Sequence, residues 1–419
     1  MNILFLTENF PPETNASATR VFERACYWAE WGHQVTVITC APNFPGGKLF
    51  PGYRNRWRQV EQMSGIRVVR AKTFIAANEG LVLRTFDFLS FMVTGFLAGL
   101  RGPKPDVVVA TSPQFFAAVA GWAIGKARRL PFVFELGDLW PASIAAVGVI
   151  ESNNLALHWM EKLELFLYRQ SASVVALTQA FKDNLVRRSI AADKVAVVLN
   201  GVDLARYAPR PRDLSLAEEW HLTGHFVVGY IGTHGMAHAL GNVLNAAERL
   251  KDVPDLRFIF VGSGAERGAL LAEAERRHID NVVFIPPQPK DLMPRIWSLC
   301  DVALVHLKDR PAFAEVIPSK IFEAMGMGLP LLLAAPPGEA SHIIDEERVG
   351  LCVAAENPEA LATAVMQLKT DADARRGYAE ASLAAAPRHT REVQAREMMA
   401  VLEKVVRGEG SAAGARAAT

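Results

Sequence analysis

The chain has 419 residues, half of them hydrophobic and 21% charged, with 45 Lys and Arg against 44 Asp and Glu and a net charge of +1. This length and apolar content support two or three full domain cores, and the near-neutral balance argues against a general nucleic-acid binder. Cys26, Cys40, Cys300 and Cys352 match neither zinc spacing nor a disulfide framework, which fits a reducing cytoplasm.

The first residues, Asn2–Thr7, read as a strand, without the basic region or cleavage site of a signal peptide. An amphipathic helix follows at Ala18–Trp31, and a second strand at Gln34–Thr39 after the turn at Gly32-His33. Lys48, Arg54, Arg56 and Arg58 alternate with Phe50, Tyr53 and Trp57. This basic-aromatic loop at 48–58 reads either as plain surface or as a grip on anionic headgroups or a lipid diphosphate. Ile66–Ala71 is the next strand. Phe86–Leu100 is apolar but shorter than the roughly 20 residues a bilayer span needs. With Arg84 before it and Arg101 and Lys104 after, residues 84–104 fit a buried helix or a monotopic helix dipping into the cytoplasmic leaflet. Asp106–Ala110, Phe132–Glu135 and Ser173–Leu177 continue the β-branched runs, with helical stretches between them. That alternation predicts a doubly wound parallel sheet.

Lys194–Leu199 closes the first half, and Asn200–Asp203 with Pro209–Arg212 reads as a linker. The rhythm restarts at His225–Gly232 and continues through Arg257–Gly262, Val282–Ile285, Val302–Val305, Leu329–Leu333 and Leu351–Val353. The expected fold class is α/β. Two Rossmann-like doubly wound domains, 1–203 and 204–389, would face a cleft at the carboxyl ends of their strands. A final helix is expected over 390–407, with packing on the N-terminal domain one open arrangement, and a disordered tail over 408–419.

The stretch most suggestive of chemistry is Glu315-Val-Ile-Pro-Ser-Lys-Ile-Phe-Glu323, which runs into Ala-Met-Gly-Met-Gly-Leu-Pro330. Two carboxylates flank a Ser-Lys pair at the start of a helix-like apolar run. A helix N-terminus attracts anions through its free N–H groups and dipole, and a lysine adds a full charge. Carboxylates repel phosphates but accept hydrogen bonds from sugar hydroxyls. Acid, cation and acid in this order suggest a nucleotide-sugar; the alternative is an ordinary solvated helix start.

Several segments occur in a telling order: Val198-Leu-Asn-Gly-Val-Asp203, Phe260-Val-Gly-Ser-Gly264 and the Glu315/Glu323 stretch. Together they resemble the family 4 glycosyltransferases of GT-B, two-Rossmann architecture. Glu8-Asn-Phe-Pro-Pro-Glu13, Ala18-Thr-Arg-Val-Phe-Glu23, Gly32-His-Gln-Val-Thr-Val37, Pro51-Gly-Tyr-Arg54 and Asp138-Leu-Trp-Pro141 sharpen the match. They resemble the bacterial subgroup of WbuB-type fucosamine (amino-deoxysugar) transferases of surface-polysaccharide assembly, over about residues 1–406. The resemblance implies retaining, metal-independent transfer from a nucleoside-diphosphate sugar, with UDP the expected nucleotide and no cofactor. It also implies acceptors on a polyprenyl diphosphate or glycan, which would suit the apolar run at 86–100.

The resemblance assigns Glu315 to the donor-sugar hydroxyls and Glu323 to the ribose. Gly232, Thr233, His234, Gly235, Gly262, Pro287, Ser319 and Lys320 complete the candidate donor site. One departure stands out: the Arg and Lys that many members place after the first strand of the second domain are missing from Gly232-Thr-His-Gly-Met-Ala-His-Ala-Leu-Gly241. Lys320 is the best replacement, with help from His234 and the N–H groups around Gly235; His238 reads as a surface helix residue. Asp138 is the first candidate for an acid/base or orienting group, and Glu135 the second; Asp138 as a helix cap is the plainer alternative. Asn15, Ser17, Thr19 and Arg20, after the first strand, are the candidate acceptor-binding residues, with a routine surface pair the other reading of Arg20. A nucleotide-sugar epimerase and a non-catalytic sugar- or lipid-binding scaffold remain as rivals. An NAD-dependent oxidoreductase is disfavoured, since Glu8-Asn-Phe-Pro-Pro stands where Gly-x-Gly-x-x-Gly would be.

Overall fold

The computed structural model describes residues 1–44, 46–76, 81–112, 115–139 and 155–409. The expected tail at 408–419 lies outside the described residues from 410 onward. The chain divides into two compact units, Met1–Leu199 with Arg391–Thr419, and Asn200–Thr390.

Among the described residues the first unit carries eight strands: β1 (Asn2–Leu6), β2 (Gln34–Cys40), β3 (Arg58–Met63), β4 (Ile66–Ala71), β5 (Val107–Thr111), β6 (Phe132–Leu136), β7 (Ser173–Ala176) and β8 (Val195–Val197). Their order is β3-β4-β2-β1-β5-β6-β7-β8, all parallel except β3 against β4. β5 is buried at every position, as a parallel strand covered on both faces must be. β3 begins at the last residue of the expected loop 48–58 and was not among the expected strands. It is an edge strand of Gln, Glu and Arg, half in solvent, so its sequence lacks an apolar run. A two-residue turn makes it, with Ser64 at φ 48° and Gly65 at φ 78°, the left-handed pair that suits a tight hairpin.

The second unit is built from β9 (Phe226–Ile231), β10 (Leu256–Val261), β11 (Val282–Ile285), β12 (Val302–His306), β13 (Leu331–Ala334) and β14 (Gly350–Val353). The order β11-β10-β9-β12-β13-β14 is parallel throughout and is that of a dinucleotide-type doubly wound sheet. Alternation along each strand feeds two cores. Ile259 and Val261 of β10 join Trp297, Ile321 and Phe322 on one face. Phe258 and Phe260 join Leu244, Leu361 and Val365 on the other.

The unit boundary falls at Leu199/Asn200, earlier than the expected 203. The supposed linker is already part of the second core: Val202 is buried, its N–H donates to the His389 carbonyl at 2.8 Å, and it bridges Thr390. The helix Arg391–Val406 belongs to the first unit. Its Ala395, Met398, Met399 and Leu402 enter the core around Val21, Ala25 and Trp28 of the helix Ala16–Glu30. The Trp28 indole N–H donates to the Ala395 carbonyl at 2.9 Å, so a large ring and a buried polar atom are satisfied together.

Trp28→Ala should therefore cost roughly 3–5 kcal/mol of stability in urea unfolding. Trp31→Ala, whose ring is 37% exposed, should cost far less. Equal losses would show that Trp28 does not anchor the final helix.

Candidate active site

In a doubly wound sheet the ligand crevice lies at the carboxyl ends of the strands, where the strand order reverses. In the second unit that point is between β9 and β12. β9 ends at Ile231 and leads into Gly232, Thr233, His234 and Gly235; β12 ends at His306. Gly232 has φ 143° and a Cβ there would stand 2.9 Å from the Lys320 ammonium, so the glycine makes room for the lysine head. Gly262, just past β10 at φ 142°, leaves no space for a Cβ, which would run into the Gly232 carbonyl.

Lys320 opens the helix Lys320–Gly326, after Ser319, whose hydroxyl takes a long 3.4 Å hydrogen bond from Asn200. Its Nζ lies 3.7 Å from the centre of the Tyr230 ring. It is buried and, among the described residues, has no hydrogen-bond partner. A cation over an aromatic face is attracted by the ring quadrupole, but a desolvated ammonium with three unused donors is far from satisfied. Burial lowers its pKa to about 7, against a weaker opposing pull from Glu323. Glu323 sits on the same helix and accepts a 3.3 Å hydrogen bond from the Trp297 indole. Glu315 ends the short helix Pro311–Ala314 and is half-buried, five residues before Lys320.

His234 is fully buried, and neither ring nitrogen has a partner. Its ring packs among Tyr230, Phe260 and Phe284. Burial first, then the charges of Arg267 and Lys320, lower its pKa to about 4, so it is a neutral imidazole. Its backbone is tied to the loop after β10, the N–H donating to the Ser263 carbonyl at 2.8 Å and the carbonyl accepting from Glu266 N–H at 2.9 Å. His238 is not a surface helix residue. It is half-buried on a short 3-10 turn; its Nδ1 faces the His306 carbonyl at 3.3 Å, while His306 Nδ1 faces the His238 carbonyl at 2.8 Å. Asn242 closes the set on His306 Nε2 at 2.8 Å. Because the two main-chain carbonyls can only accept, each Nδ1 carries the proton and Asn242 is the donor. Thr233 is exposed, its carbonyl accepting the Tyr230 hydroxyl at 2.7 Å, and Pro287 is exposed just beyond β11.

The first unit has its own reversal point between β1 and β5. Asn15 caps the helix Ala16–Glu30, its side chain accepting from Ala18 N–H at 2.9 Å. The Asn15 amide nitrogen and the Ser17 hydroxyl are buried and unpartnered, while Thr19 is half-buried. Arg20 makes no surface pair: it is buried, with Nη2 3.3 Å from the Thr111 hydroxyl at the end of β5 and Nε 3.4 Å from Glu135. Arg24, one turn on, meets the same Glu135 oxygen at 2.7 Å. Burial alone would push Glu135 up; Arg24 and Arg20 outweigh it and hold its pKa at about 2. Glu135 is thus an anion held between two arginines. Asp138, half-buried, lies two residues past β6, its main chain bracketing the Ser112 hydroxyl at 3.3 Å on both N–H and carbonyl. The segment it would cap, 140–154, lies outside the described residues. The loop before the helix is stitched down by Glu13, which accepts from Asn43 and Phe44 N–H at 2.8 and 2.9 Å, and by Arg70, which donates to the Pro11 carbonyl at 2.5 Å. Glu8 in this loop is buried, and burial, with Asp87 and Glu13 adding to it, pushes its carboxyl well above the usual range.

Both halves match known domains. Residues 15–201 match the glycosyl transferase 4-like domain, and residues 218–383 the glycosyl transferases group 1 domain. The chain is a glycosyltransferase. It is 26% identical to the putative colanic acid biosynthesis glycosyl transferase WcaI of Escherichia coli K12, over 91% of this chain and 96% of WcaI. It is 25% identical to a GDP-mannose-dependent alpha-mannosyltransferase of Mycobacterium tuberculosis, over 84% and 83% of the two chains. Its fold matches Anabaena HepE, solved in complex with UDP, with a TM-score of 0.71 at 17% identity, covering 96% of this chain and 100% of HepE. The enzyme therefore has the GT-B fold.

Sequence reading had located Lys320, His234 and Gly232 but missed the residues that complete their surroundings. Tyr230 was hidden as one more apolar strand position, and His306 lay one residue past the expected end of its strand. Arg24 was concealed on the apolar side of an amphipathic helix; its spacing of four from Arg20, beside Val21 and Ala25, was the available signal.

The Lys320 geometry has a stability consequence. Its folded pKa near 7 lies below the ordinary value of 10.5. Between the two the unfolded chain binds more protons, so stability contributed through this group rises with pH across that window and is lowest below it. Lys320→Met should raise the melting temperature at pH 7 and flatten the rise between about pH 7 and 10. A variant melting at or below the wild type, with the slope intact, would show that the ammonium is satisfied elsewhere.

Proposed function

We propose that this glycosyltransferase moves a sugar from a UDP-sugar to a polyprenyl-diphosphate-linked or glycan acceptor in the assembly of a bacterial surface polysaccharide. The observation that carries the reading is Lys320: a buried, unpartnered ammonium at the reversal point of the second sheet, waiting for an anion. A sugar diphosphate supplies that anion, and its arrival restores the charge that burial suppresses. The name of WcaI supports polysaccharide assembly, and the UDP in HepE supports the nucleotide. The GDP-mannose dependence of the mycobacterial relative makes a guanosine donor the competitor to test. The WbuB-type resemblance favours an N-acetylated amino or deoxy sugar.

In this reading Lys320, Ser319 and the N–H groups of Thr233 to Gly235 hold the diphosphate, with Gly232 and Gly262 keeping the backbone close. Glu315 takes the donor-sugar hydroxyls, Glu323 the ribose, and Pro287 borders the base. The bond from sugar C1 to the phosphate oxygen breaks with its electrons passing to the diphosphate. The acceptor oxygen bonds to the same face of C1, and its proton leaves to a base, for which Asp138 is the candidate. The work done is charge stabilisation and positioning, with no metal and no covalent enzyme intermediate. Asn15, Ser17, Thr19 and Arg20 bind the acceptor or its diphosphate, and the unpartnered buried atoms of Asn15 and Ser17 are suited to that. Among the described residues no helix is long and apolar enough to cross a membrane. We place the enzyme in the cytoplasm, with residues 84–104 and the loop 48–58 resting on the inner face of the plasma membrane.

Melting shifts with UDP, GDP and their sugars, followed by transfer from the best donor to a polyprenyl-diphosphate acceptor, test the proposal. UDP should stabilise more than GDP, and donor alone should give no epimer. Lys320→Ala should lower kcat/KM roughly 10²–10³-fold, as expected for loss of one charge-stabilising donor. UDP affinity should weaken as pH rises above about 7, because the neutral lysine must regain its proton to bind. Unchanged kinetics in Lys320→Ala would remove the phosphate role, and epimer from donor alone would overturn the transferase reading. Asp138→Asn should cost roughly 10²–10⁴-fold in turnover if Asp138 takes the proton, and near-normal turnover would remove it from that step.

A further inference from the structure

A second cationic feature lies away from the strands' carboxyl ends. A cavity of about 280 Å³ opens at the amino ends of β1 and β2 in the first unit. It is lined by Arg58, Arg67, Arg101, Lys104, Arg128 and His33, and no carboxylate is among its lining residues. Arg128 is engaged: it donates to the carbonyls of Gly99, Gly102 and Pro103 and so caps the end of the helix Leu81–Gly99. Among the described residues the side chains of Arg58, Arg67, Arg101 and Lys104 have no ion-pair or hydrogen-bond partner. Four free cations around one concavity repel each other, and an anion would relieve that. The volume, roughly nine waters' worth, accommodates a phosphate ester with its substituent.

The surroundings say which phosphate. Among the described residues, the helix Leu81–Gly99, whose Ala98 lines the cavity, has an outer face left largely exposed, with the Phe74 ring edge-on to Phe86. Leu83, Phe86, Val93 and Leu97, with Leu100 just beyond it, fall on one side of the helix and are 41–57% exposed. The opposite side is the packed one, with Phe91 buried and Gly99 against Ile124. Trp57, 73% exposed, immediately precedes Arg58 of the cavity. An apolar stripe, an exposed indole and an unneutralised basic cavity at the foot of the stripe form the combination that meets acyl chains and anionic headgroups together.

We propose that this cavity is a binding site for the phosphate headgroup of an anionic phospholipid, in a membrane on which the stripe rests. It deepens the membrane contact proposed above and rests on that reading. The site is separate from the donor residues and gives the enzyme a preference for anionic membrane, where a polyprenyl-linked acceptor would be found.

Co-sedimentation with phosphatidylcholine vesicles, with and without phosphatidylglycerol, tests it on the full chain. The wild type should prefer the anionic vesicles. Arg67→Gln/Arg101→Gln, melting as the wild type does, should lose roughly thirtyfold in affinity for them, from the attraction each basic side chain has for an anionic surface. Arg249→Gln/Lys251→Gln removes two exposed cations of the second unit and should lose much less; an equal loss would overturn the cavity as a site and leave only diffuse attraction. Val93→Ser/Leu97→Ser should weaken binding to both vesicles. No binding of the wild type to either vesicle would sink the membrane reading itself. In that case, glycerol 1-phosphate or inorganic phosphate raising the melting temperature of the wild type, but not of Arg67→Gln/Arg101→Gln, would assign the cavity to a free phosphate instead.

Discussion

The constraint behind the whole arrangement is the reversal of strand order in a parallel sheet. Winding outward in both directions from β1 and from β9 sends the helices on either side to opposite faces, so the connections at the middle diverge. The gap they leave collects what has no place in a core. In the first unit it holds Arg20 against Thr111 at the end of β5. In the second it holds Gly232 after β9, His306 at the end of β12, and the lysine that reaches toward Gly232. Close approach of backbone segments is what the glycines secure there, and close approach is what a diphosphate requires.

The two units treat buried charge differently. In the first, the cost of desolvation is met inside the protein: Glu135 lies between Arg24 and Arg20, and Arg24 also rests over the Phe5 and Trp28 rings. The group is rigid and stays ionised, so it positions the helix Ala16–Glu30 relative to β5 and β6. In the second, nothing inside the protein meets the cost. Among the described residues Lys320 meets the Tyr230 face and a weaker pull from Glu323, and the neighbouring His234, His238 and His306 are all held neutral by burial. A paired ion is a structural element, whereas an unpaired one stores a demand for a ligand. That difference, and not the mere presence of basic residues, separates an anchor from a binding group.

Much of this was legible in the sequence because apolar periodicity reports burial directly. The fourteen strands among the described residues include thirteen whose apolar runs stand out; β3 does not, since Arg58–Met63 is an edge strand with polar residues at four of its six positions. The Glu315–Glu323 stretch was legible because helix-start chemistry is local. What was not legible depends on tertiary contact. No spacing rule reveals that the Lys320 head lies on Tyr230, 90 residues earlier, or that His238 and His306 exchange contacts across 68 residues. Asn200–Asp203 read as linker because Asn, Gly and Asp favour turns, yet Val202 is pinned to His389 from the far end of the unit.

The same distinction applies to the outer surface. Basic residues scattered over a protein are normally balanced by neighbouring carboxylates, as Arg277 is by Glu248 and Glu273. Among the described residues Arg58, Arg67, Arg101 and Lys104 are unbalanced, and they gather around one cavity at the end of an apolar helix. Solvation alone would maintain them, but it would not account for the row of exposed side chains from Leu83 to Leu97 beside them, which water does not favour. A membrane interface satisfies both at once, since headgroup phosphates and acyl chains are covalently joined at the spacing of a lipid. An enzyme whose acceptor is anchored in that interface gains by being held there, because a bound surface confines the encounter to two dimensions and raises the effective concentration of acceptor.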